Sequence, residues 1–347
     1  LDAWDEVIPF LIKPAAPASK LLVQFPTNTW LAYDDRFGRS PYTEPRTFHT
    51  SFHRPMKRYL KWIEGATGET VSDIEGYYLR WLEQNGYQVD VIANSDIVDS
   101  SILNPGNYRL FISVGHDEYW SKPMRNTLQA FIEGGGNVLF WSSNSIYYQV
   151  RFEDDRDTML SYKLTSYASQ HDPLWGVDDS LVTTHWALPP VNLPPTSLVG
   201  LSYHYGGVGV GGYAVYRTND WAFQGAGLHD GAVIGNYPAI GDDILAQEVD
   251  ATYYGWSGGR PAPVNTAQTG TPANFTILGV QASPQSAPAV MGYYEDDQGA
   301  TVFHAGTWDW WKGLFLNDPA RVRITHNLLA RLTQGEVSPA PIARPGS

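Results

Sequence analysis

The sequence predicts an α/β fold, in which a parallel sheet with helices on both faces is joined by a β-rich insertion or second layer. In the first half of the chain, short apolar runs alternate with segments whose apolar residues recur at helical spacing. Between about residues 160 and 300 the chain changes to short aromatic and β-branched runs separated by Gly, Pro and Asn. From residue 301 one strand and one amphipathic helix follow, and we expect them to return to the first sheet.

The first unit of the sheet is predicted over residues 21–93. Residues 21–25 form an apolar run that a proline ends, as is typical of a buried strand. A helix begins at Ser72, because Glu75 three residues later completes the spacing of a capping box, and it ends at Gly86. Residues 89–93 are then the next strand.

The second unit follows the same plan. Residues 109–115 read as a central strand, and a helix with Pro just inside its start begins at Ser121. The glycines at 134–136 end that helix, and residues 137–142 form the next strand. Strand, helix and strand at this spacing give right-handed βαβ units, which place helices on both faces of a parallel sheet.

Composition excludes several classes of protein. The chain of 347 residues has no Cys, so it is neither a disulfide scaffold, a zinc ribbon nor a thiol enzyme. Its 36 acidic and 23 basic side chains give a net charge of −13, which disfavours nucleic acid and anionic membranes as partners. Every apolar run is shorter than the length of about 18 residues that a membrane span needs. We therefore expect a small neutral substrate.

These patterns predict five segments. They are an N-terminal extension or linker (1–20), an α/β core (21–160), a β-rich insertion (161–300), a strand and helix that return to the core (301–334) and a linker-like tail (335–347). The first residue, Leu1, indicates a processed chain, and the Pro- and Ala-rich tail indicates that further domains or subunits are missing. The composition fits a cytoplasmic or a secreted bacterial protein, and of the two we favour the secreted one.

Polar side chains follow two neighbouring strands at the edge where parallel sheets bind ligands. The run from His116 to Glu118 comes directly after the central strand, and Asn144 follows the next strand. Functionally these side chains could supply a base, an acid or metal ligands. Alternatively, the acids could cap the helix that begins at Ser121, where the helix dipole favours negative charge.

Other catalytic patterns are weak or absent. There is no Gly-x-Ser-x-Gly elbow, so Ser142 or Ser143 after a strand is only a weak candidate nucleophile. No phosphate-binding glycine loop opens a helix, which disfavours nucleotide cofactors, and the nine histidines are dispersed, which disfavours a histidine zinc site. The aromatic run 308–311 could stack a sugar, but core packing explains it as well.

Several blocks of sequence share their order and approximate spacing with one family: residues 27–33, 53–55, 78–83, 115–120, 135–137 and 143–148. With these blocks the chain resembles the large (beta) subunit of N,N-dimethylformamidase. The block Gly-His-Asp-Glu-Tyr-Trp at 115–120 is the most specific. The resemblance covers residues 20–155 and recurs weakly at 198–200, 248–250 and 303–332. It implies a flavodoxin-like or glutamine-amidotransferase-like α/β core without the nucleophilic cysteine.

The resemblance also implies an amidase of small amides that uses ferric iron, Fe(3+), held by two tyrosinates and one carboxylate. By position the tyrosines would be Tyr78 and Tyr119, and the carboxylate would be Asp172, with Glu248 and Glu118 as alternatives. Tyrosinates suit a hard trivalent ion, because a phenol ionises near neutral pH only beside a strong Lewis acid.

In the same interpretation, His116 and Glu118 would transfer protons and Asn144 would orient the substrate or a ligand. Each residue also has a structural interpretation: Tyr78 lies on the apolar face of its helix, and Tyr119 could pack against the end of the sheet.

Two other functions fit the sequence. A carbohydrate-active hydrolase would pair Asp117 or Glu118 with Glu248 and use tryptophans as sugar platforms. A non-catalytic binding module of a larger secreted protein would instead have a closed crevice at the strand ends.

Overall fold

A computed structural model describes residues 11–35, 38–54, 71–236, 243–245, 247–283 and 287–336. The start of the predicted N-terminal linker and nearly all of the predicted tail lie outside these ranges. Residues 11–20 contain neither helix nor strand. Among the described residues, no helix is both long and apolar enough to cross a bilayer.

Strands and helices alternate through the first half of the chain, and strands dominate between residues 200 and 304. The strands are β1 (Leu21–Phe25), β2 (His49–Ser51), β3 (Asp90–Ala93), β4 (Leu110–His116), β5 (Tyr119–Ser121), β6 (Asn137–Ser143), β7 (Tyr148–Glu153), β8 (Thr158–Leu160), β9 (Ser202–Val208), β10 (Tyr213–Val215), β11 (Val233–Ile234), β12 (Glu248–Ala251), β13 (Tyr254–Ser257), β14 (Arg260–Pro263), β15 (Thr276–Gln281), β16 (Val290–Glu295) and β17 (Thr301–His304). The α-helices are α1 (Thr27–Tyr33), α2 (Val71–Gln84), α3 (Lys122–Glu133), α4 (Thr165–His171), α5 (Thr196–Val199), α6 (Thr266–Thr269), α7 (Trp310–Phe315) and α8 (Pro319–Leu332).

The main sheet has nine strands in the order β11-β10-β15-β16-β17-β6-β4-β1-β3. The five strands from β17 to β3 are parallel to one another, whereas β16, β15, β10 and β11 continue the sheet antiparallel. The α/β class is confirmed, but the prediction of a parallel sheet was wrong because the sheet is mixed. The strands of residues 161–300 pair onto the exposed edge of β17, and hydrophobic runs do not reveal to which edge a strand pairs.

Numbered along the chain, the parallel strands have the order 2-1-3-4-5, because β3 lies outside β1 while β4, β6 and β17 follow on its other side. The direction of strand addition therefore reverses between β1 and β4. In open α/β sheets, ligands bind outside the carboxyl ends of the strands at such a reversal.

Helices cover both faces of the sheet. Leu110, Ile112 and Val114 of β4 join a core layer that includes α2, α7 and α8, whereas Phe111 joins the layer that includes α3. All seven residues of β4 are buried, as is expected of a strand with helices on both faces. Ser121 caps α3 by accepting a hydrogen bond from the Met124 backbone N–H at 3.4 Å.

A two-stranded ribbon of β9 and β12 lies against the carboxyl end of β6. Ser143 Oγ donates to the Glu248 carbonyl oxygen at 2.6 Å, and an isolated bridge joins Val249 to Thr307. On another side, β5 and β7 belong to a four-stranded sheet with β2 and β8. The ribbon and the four-stranded sheet extend beyond the carboxyl ends of the main-sheet strands and form the walls of a pocket there.

Candidate active site

A cavity of about 350 Å³ lies at the carboxyl ends of β4 and β6. Six aromatic rings line it, those of Tyr33, Tyr42, Tyr147, Tyr148, Tyr203 and Trp308. Its polar side chains are those of His116, Glu118, Asn144, Lys163, Gln247 and Glu248. The position, shape and lining are those of a small-molecule site.

His116 is the last residue of β4, and Glu248 is the first residue of β12. His116 Nε2 lies 2.8 Å from Glu248 Oε2 and 3.5 Å from Glu118 Oε2. The side chains of His116 and Glu118 are each only 3% exposed, whereas that of Glu248 is 26% exposed and reaches the open space of the pocket. The histidine is therefore enclosed between two carboxylates.

The charges of this cluster stabilise one another. Burial alone lowers the pKa of His116, but the negative charge of Glu248, its hydrogen bond to the ring and the charge of Glu118 outweigh burial and raise that pKa. Burial would raise the pKa of Glu248, yet the His116 charge and the hydrogen bonds from His116 and Asn144 lower it. Both shifts favour an imidazolium–carboxylate ion pair between the two residues. Burial raises the pKa of Glu118.

Asn144 extends from a turn that follows β6. Its side-chain Nδ2 donates to Glu248 Oε2 at 3.1 Å. Its backbone is left-handed, with φ of 50°, and its N–H donates to Asp250 Oδ1 at 2.8 Å. The neighbouring Ser145 N–H donates to the other oxygen of that carboxylate at 3.1 Å. Asp250 thus positions the turn, and the turn positions the Asn144 amide beside the Glu248 carboxylate.

Asp117 lies between two pocket residues but faces the protein interior. Its carboxylate accepts hydrogen bonds from Ser113 Oγ at 2.7 Å, Trp120 Nε1 at 2.9 Å and Asn94 Nδ2 at 3.2 Å. Burial raises the pKa of this carboxyl to about 6. Because Asp117 is turned away from the pocket, its role here is to bind the strand ends together.

Tyr119 lies behind the pocket wall. Its hydroxyl is 2.6 Å from that of Tyr42, and the Tyr42 hydroxyl is 3.2 Å from Glu118 Oε2. Burial, and then the Glu118 charge, raise the pKa of Tyr42 well above its ordinary value, so this phenol stays protonated. Tyr42 and Lys163 were not predicted from the sequence, because neither belongs to a recognisable motif or a predicted strand end.

The side chains predicted to hold iron have other partners. The Tyr78 hydroxyl donates to the Trp308 carbonyl oxygen at 3.0 Å and accepts from the Trp311 N–H at 3.1 Å. Both Asp172 oxygens bind the Arg151 guanidinium, at 2.9 and 3.0 Å. Neither side chain lines the pocket.

Of the predicted oxygen ligands, Glu118 and Glu248 meet at His116, and Tyr119 reaches Glu118 only through Tyr42. Within the described ranges, no three His, Asp or Glu side chains are arranged to hold a metal ion. The arrangement of Tyr78, Tyr119 and Asp172 does not fit one shared ion, so no chemical step below is assigned to iron.

Fold and pocket together define an α/β protein with an enclosed histidine–carboxylate cluster beside the reversal point of its sheet. The chain belongs to the N,N-dimethylformamidase beta subunit-like, C-terminal family, whose pattern matches residues 2–321. The resemblance found in the sequence is thereby confirmed, and membership of this family is consistent with a hydrolase. No curated protein matches the chain.

Among solved structures, a beta-galactosidase from Rahnella sp. R3 is similar with a TM-score of 0.45 and 12% identity, covering 91% of this chain and 31% of that one. A beta-galactosidase from Bacillus circulans sp. alkalophilus has a TM-score of 0.41 and 11% identity, covering 92% of this chain and 32% of that one. The chain spans about a third of the length of either enzyme. Both likenesses are too weak to bear on its fold or its activity.

Proposed function

We propose that the chain is a hydrolase of C–N bonds in small neutral amides, and that the pocket above β4 and β6 is its active site. The observation that supports this most is the contact between buried His116 and Glu248, with 2.8 Å between Nε2 and Oε2, at a pocket of small-molecule size. Family membership gives the chemical class, since the family is named after an amidase subunit.

Amide hydrolysis needs a base for the attacking water and an acid for the leaving nitrogen. Glu248 is placed to act as the base, because its carboxylate reaches the open space of the pocket and the lowered pKa keeps it ionised. Protonated His116 suits the acid. The C–N bond breaks as His116 gives its proton to the nitrogen, and the proton that Glu248 took from water returns to His116 across 2.8 Å. The products are a carboxylic acid and an amine.

The test is hydrolysis of formamide, acetamide and N,N-dimethylformamide, followed by NMR detection of the carboxylate and the amine. Glu248→Gln and His116→Asn should each lose about 10²-fold or more of the activity. Glu133→Gln and His229→Asn change the same residue types on the exposed surface and serve as matched controls. Loss of activity in the controls, or full activity in the pocket variants, would contradict the assignment. So would a wild-type protein that hydrolyses no amide with or without added iron.

Ferric iron stays a prediction from the resemblance, because the contacts of its expected ligands do not support a shared ion. Elemental analysis of the purified protein, before and after incubation with ferric salt, tests for the metal directly. Tyrosinate bound to ferric iron absorbs visible light, so a colourless, iron-free protein after reconstitution would contradict the prediction.

We also infer that the parallel core is of the flavodoxin-like type, to which the predicted glutamine-amidotransferase-like fold belongs. The strand order 2-1-3-4-5 of β3, β1, β4, β6 and β17 supports this inference, because flavodoxin-like sheets share that order. The antiparallel extension beyond β17 distinguishes this chain from the simplest form of that sheet.

A glycoside hydrolase is the second candidate, because two carboxylates share the pocket with several aromatic rings. Glu118 and Glu248 both lie within 3.5 Å of His116 Nε2, which favours the short separation of about 5–5.5 Å used by retaining enzymes. Release of nitrophenol from nitrophenyl glycosides, without hydrolysis of amides, would favour this candidate. The open cavity differs from the closed crevice that a binding module would have.

A further inference from the structure

Lys163 is a cation in the pocket for which the proposed acid–base chemistry has no role. Its Nζ lies 3.3 Å from the centre of the Tyr42 ring and 5.2 Å from that of the Tyr148 ring. Across the part of the chain that the structure describes, no side-chain or backbone oxygen accepts a hydrogen bond from this ammonium. The ring faces stabilise the positive charge but leave its three N–H donors available to a ligand.

The backbone fixes the position of Lys163. The Leu164 N–H donates to the Tyr162 carbonyl oxygen at 2.7 Å, which closes a three-residue turn with Lys163 at its centre and a φ of 63°. The Lys163 N–H donates to the Thr183 carbonyl oxygen at 3.1 Å. A non-glycine residue in the left-handed region is strained, and such strain persists only where surrounding contacts impose it.

Several charged groups act on this ammonium. Burial has the largest influence and lowers the pKa of Lys163 to about 8. The negative charges of Glu118 and Glu248 raise this pKa, and the positive charge of Arg46 lowers it. Burial and the charges of His204 and Lys163 lower the pKa of His185 to about 4, so that His185 adds no positive charge at neutral pH. The lysine is therefore mostly an ammonium near neutral pH, with a larger fraction of free amine than a lysine of ordinary pKa has.

We propose that Lys163 binds the carbonyl oxygen of the substrate and stabilises the negative charge that develops there during attack by water. The Lys163 ammonium lies over the Tyr42 ring, whose hydroxyl is 3.2 Å from Glu118 Oε2, and Glu118 is beside His116. An amide presents its oxygen and its nitrogen on different sides of one carbon. With the oxygen at Lys163, the nitrogen can face His116. This inference depends on the proposed function and adds the group that orients the substrate.

The first test compares Lys163→Met, which removes the charge at similar length, with Lys163→Arg, which keeps it. Loss of a donor to a developing oxyanion lowers kcat by about 10²–10³-fold. We expect this loss for Lys163→Met with a smaller change in KM, and partial recovery for Lys163→Arg. Lys20→Met is the matched control, since Lys20 is an exposed lysine that binds the Asn107 carbonyl oxygen away from the pocket. Circular dichroism confirms folding. Unchanged kcat in a folded Lys163→Met variant would overturn the proposal.

A second test does not depend on turnover. Isocyanic acid, formed from cyanate, is small and adds to a free amine: the nitrogen bonds to the isocyanate carbon, and the amine proton moves to the isocyanate nitrogen. No group leaves. Mass spectrometry of the digested wild-type protein should show Lys163 modified faster than Lys20 at neutral pH. N,N-dimethylacetamide should protect Lys163 and leave Lys20 unaffected.

The two tests separate the two hypotheses. If N,N-dimethylacetamide protects Lys163 but the protein hydrolyses no amide, Lys163 binds amides and the hydrolase proposal fails. If the protein hydrolyses amides but the amide does not protect Lys163, the role of Lys163 is overturned and the hydrolase proposal stands.

Discussion

At the scale of single residues, the charge of Glu248 determines the protonation state of His116. A histidine buried as deeply as His116 would ordinarily be neutral, because burial disfavours the imidazolium. The Glu248 carboxylate reverses that preference at a distance of 2.8 Å. The acid of the proposed reaction therefore exists only because its base lies next to it, so neither residue can be altered without changing the other.

Glu248→Gln should lower the pKa of His116, because it removes the charge and the strongest hydrogen-bond acceptor while burial remains. NMR titration of the His116 ring in both proteins measures this change. The same charge affects stability. Because folding raises the pKa of His116, the ion pair stabilises the native state below the unfolded pKa of about 6.5, and this contribution is lost as pH rises through the folded pKa. The Tm difference between wild type and variant should therefore shrink at alkaline pH. An unchanged His116 titration would contradict the assigned ion pair.

Asn144 offers a matched pair of substitutions, since its φ of 50° suits Asn and Gly but not Ala. Asn144→Gly and Asn144→Ala both remove the amide that donates to Glu248 Oε2. We expect equal losses of amidase activity, but a Tm that falls further for the alanine variant, by the equivalent of about 1–2 kcal/mol. Activity retained in both variants would show that the amide does not hold Glu248.

At the scale of elements, the end of β4 depends on a glycine. Gly115 has a φ of 74°, and a Cβ at this position would collide with the Glu75 carboxylate of α2. The close approach of the Glu75 side chain to β4 and the turn into His116 therefore require the same residue. The sequence block that begins at Gly115 is constrained by packing as well as by chemistry.

Gly115→Ala and Gly135→Ala separate the steric clash with Glu75 from the strain of a positive φ. Gly135 has a φ of 88°, and an added Cβ there meets no atom within 4 Å, so its alanine variant experiences backbone strain alone. We expect about 1–2 kcal/mol of destabilisation for Gly135→Ala, and a clearly larger loss for Gly115→Ala, measured by urea denaturation. Equal losses would mean that the Glu75 side chain moves away from β4 without cost.

At the scale of the whole molecule, the nine-stranded sheet joins the two halves of the chain. The antiparallel strands β10, β15 and β16 hydrogen-bond in sequence to β17, and β17 pairs with β6 of the core. A single core layer includes side chains from β1, β4, β10 and β15. The described residues therefore contain no interface across which the later half could separate without breaking the sheet.

Unfolding should accordingly be a single transition. Tryptophan fluorescence reports on aromatic residues from both halves, and far-UV circular dichroism reports on the helices of the core. We expect the two signals to give the same urea midpoint and the same slope, because a shared sheet and core unfold together. Two separate midpoints would show that residues 161–300 form an independent unit.

The sequence predicted the first half of the fold well, because βαβ units are encoded by local periodicity. Ligands bind at the carboxyl ends of parallel strands, and this rule also selected His116, Glu118 and Asn144. The structure brings these residues together with Glu248. It did not predict the antiparallel extension of the sheet, which depends on pairing between distant segments. Lys163 and Tyr42 were missed for the same reason, since only tertiary contacts bring them beside Glu118.

Tyr78 shows what the periodicity of a helix cannot determine. Its helical spacing matches a packed core residue as well as a ligand, and its ring stacks on Trp141 while its hydroxyl binds backbone groups. Asp172 was selected by its neighbours in sequence, but its partner is Arg151 of β7. Periodicity identifies the buried face of a helix, whereas the direction of a single hydroxyl or carboxylate depends on contacts with other elements.

The ribbon of β9 and β12 has a consequence for how such a protein can diversify. Glu248 and the pocket residue Tyr203 belong to this ribbon, which lies outside the main sheet, whereas His116 belongs to a central strand. Mutations at the exposed and lining positions of β9 can reshape the pocket without disturbing the packed interior, to which Val249 and Ala251 of β12 belong. Directed evolution toward new amides would therefore begin with libraries at the exposed and lining positions of β9, with Glu248 and Asp250 held constant.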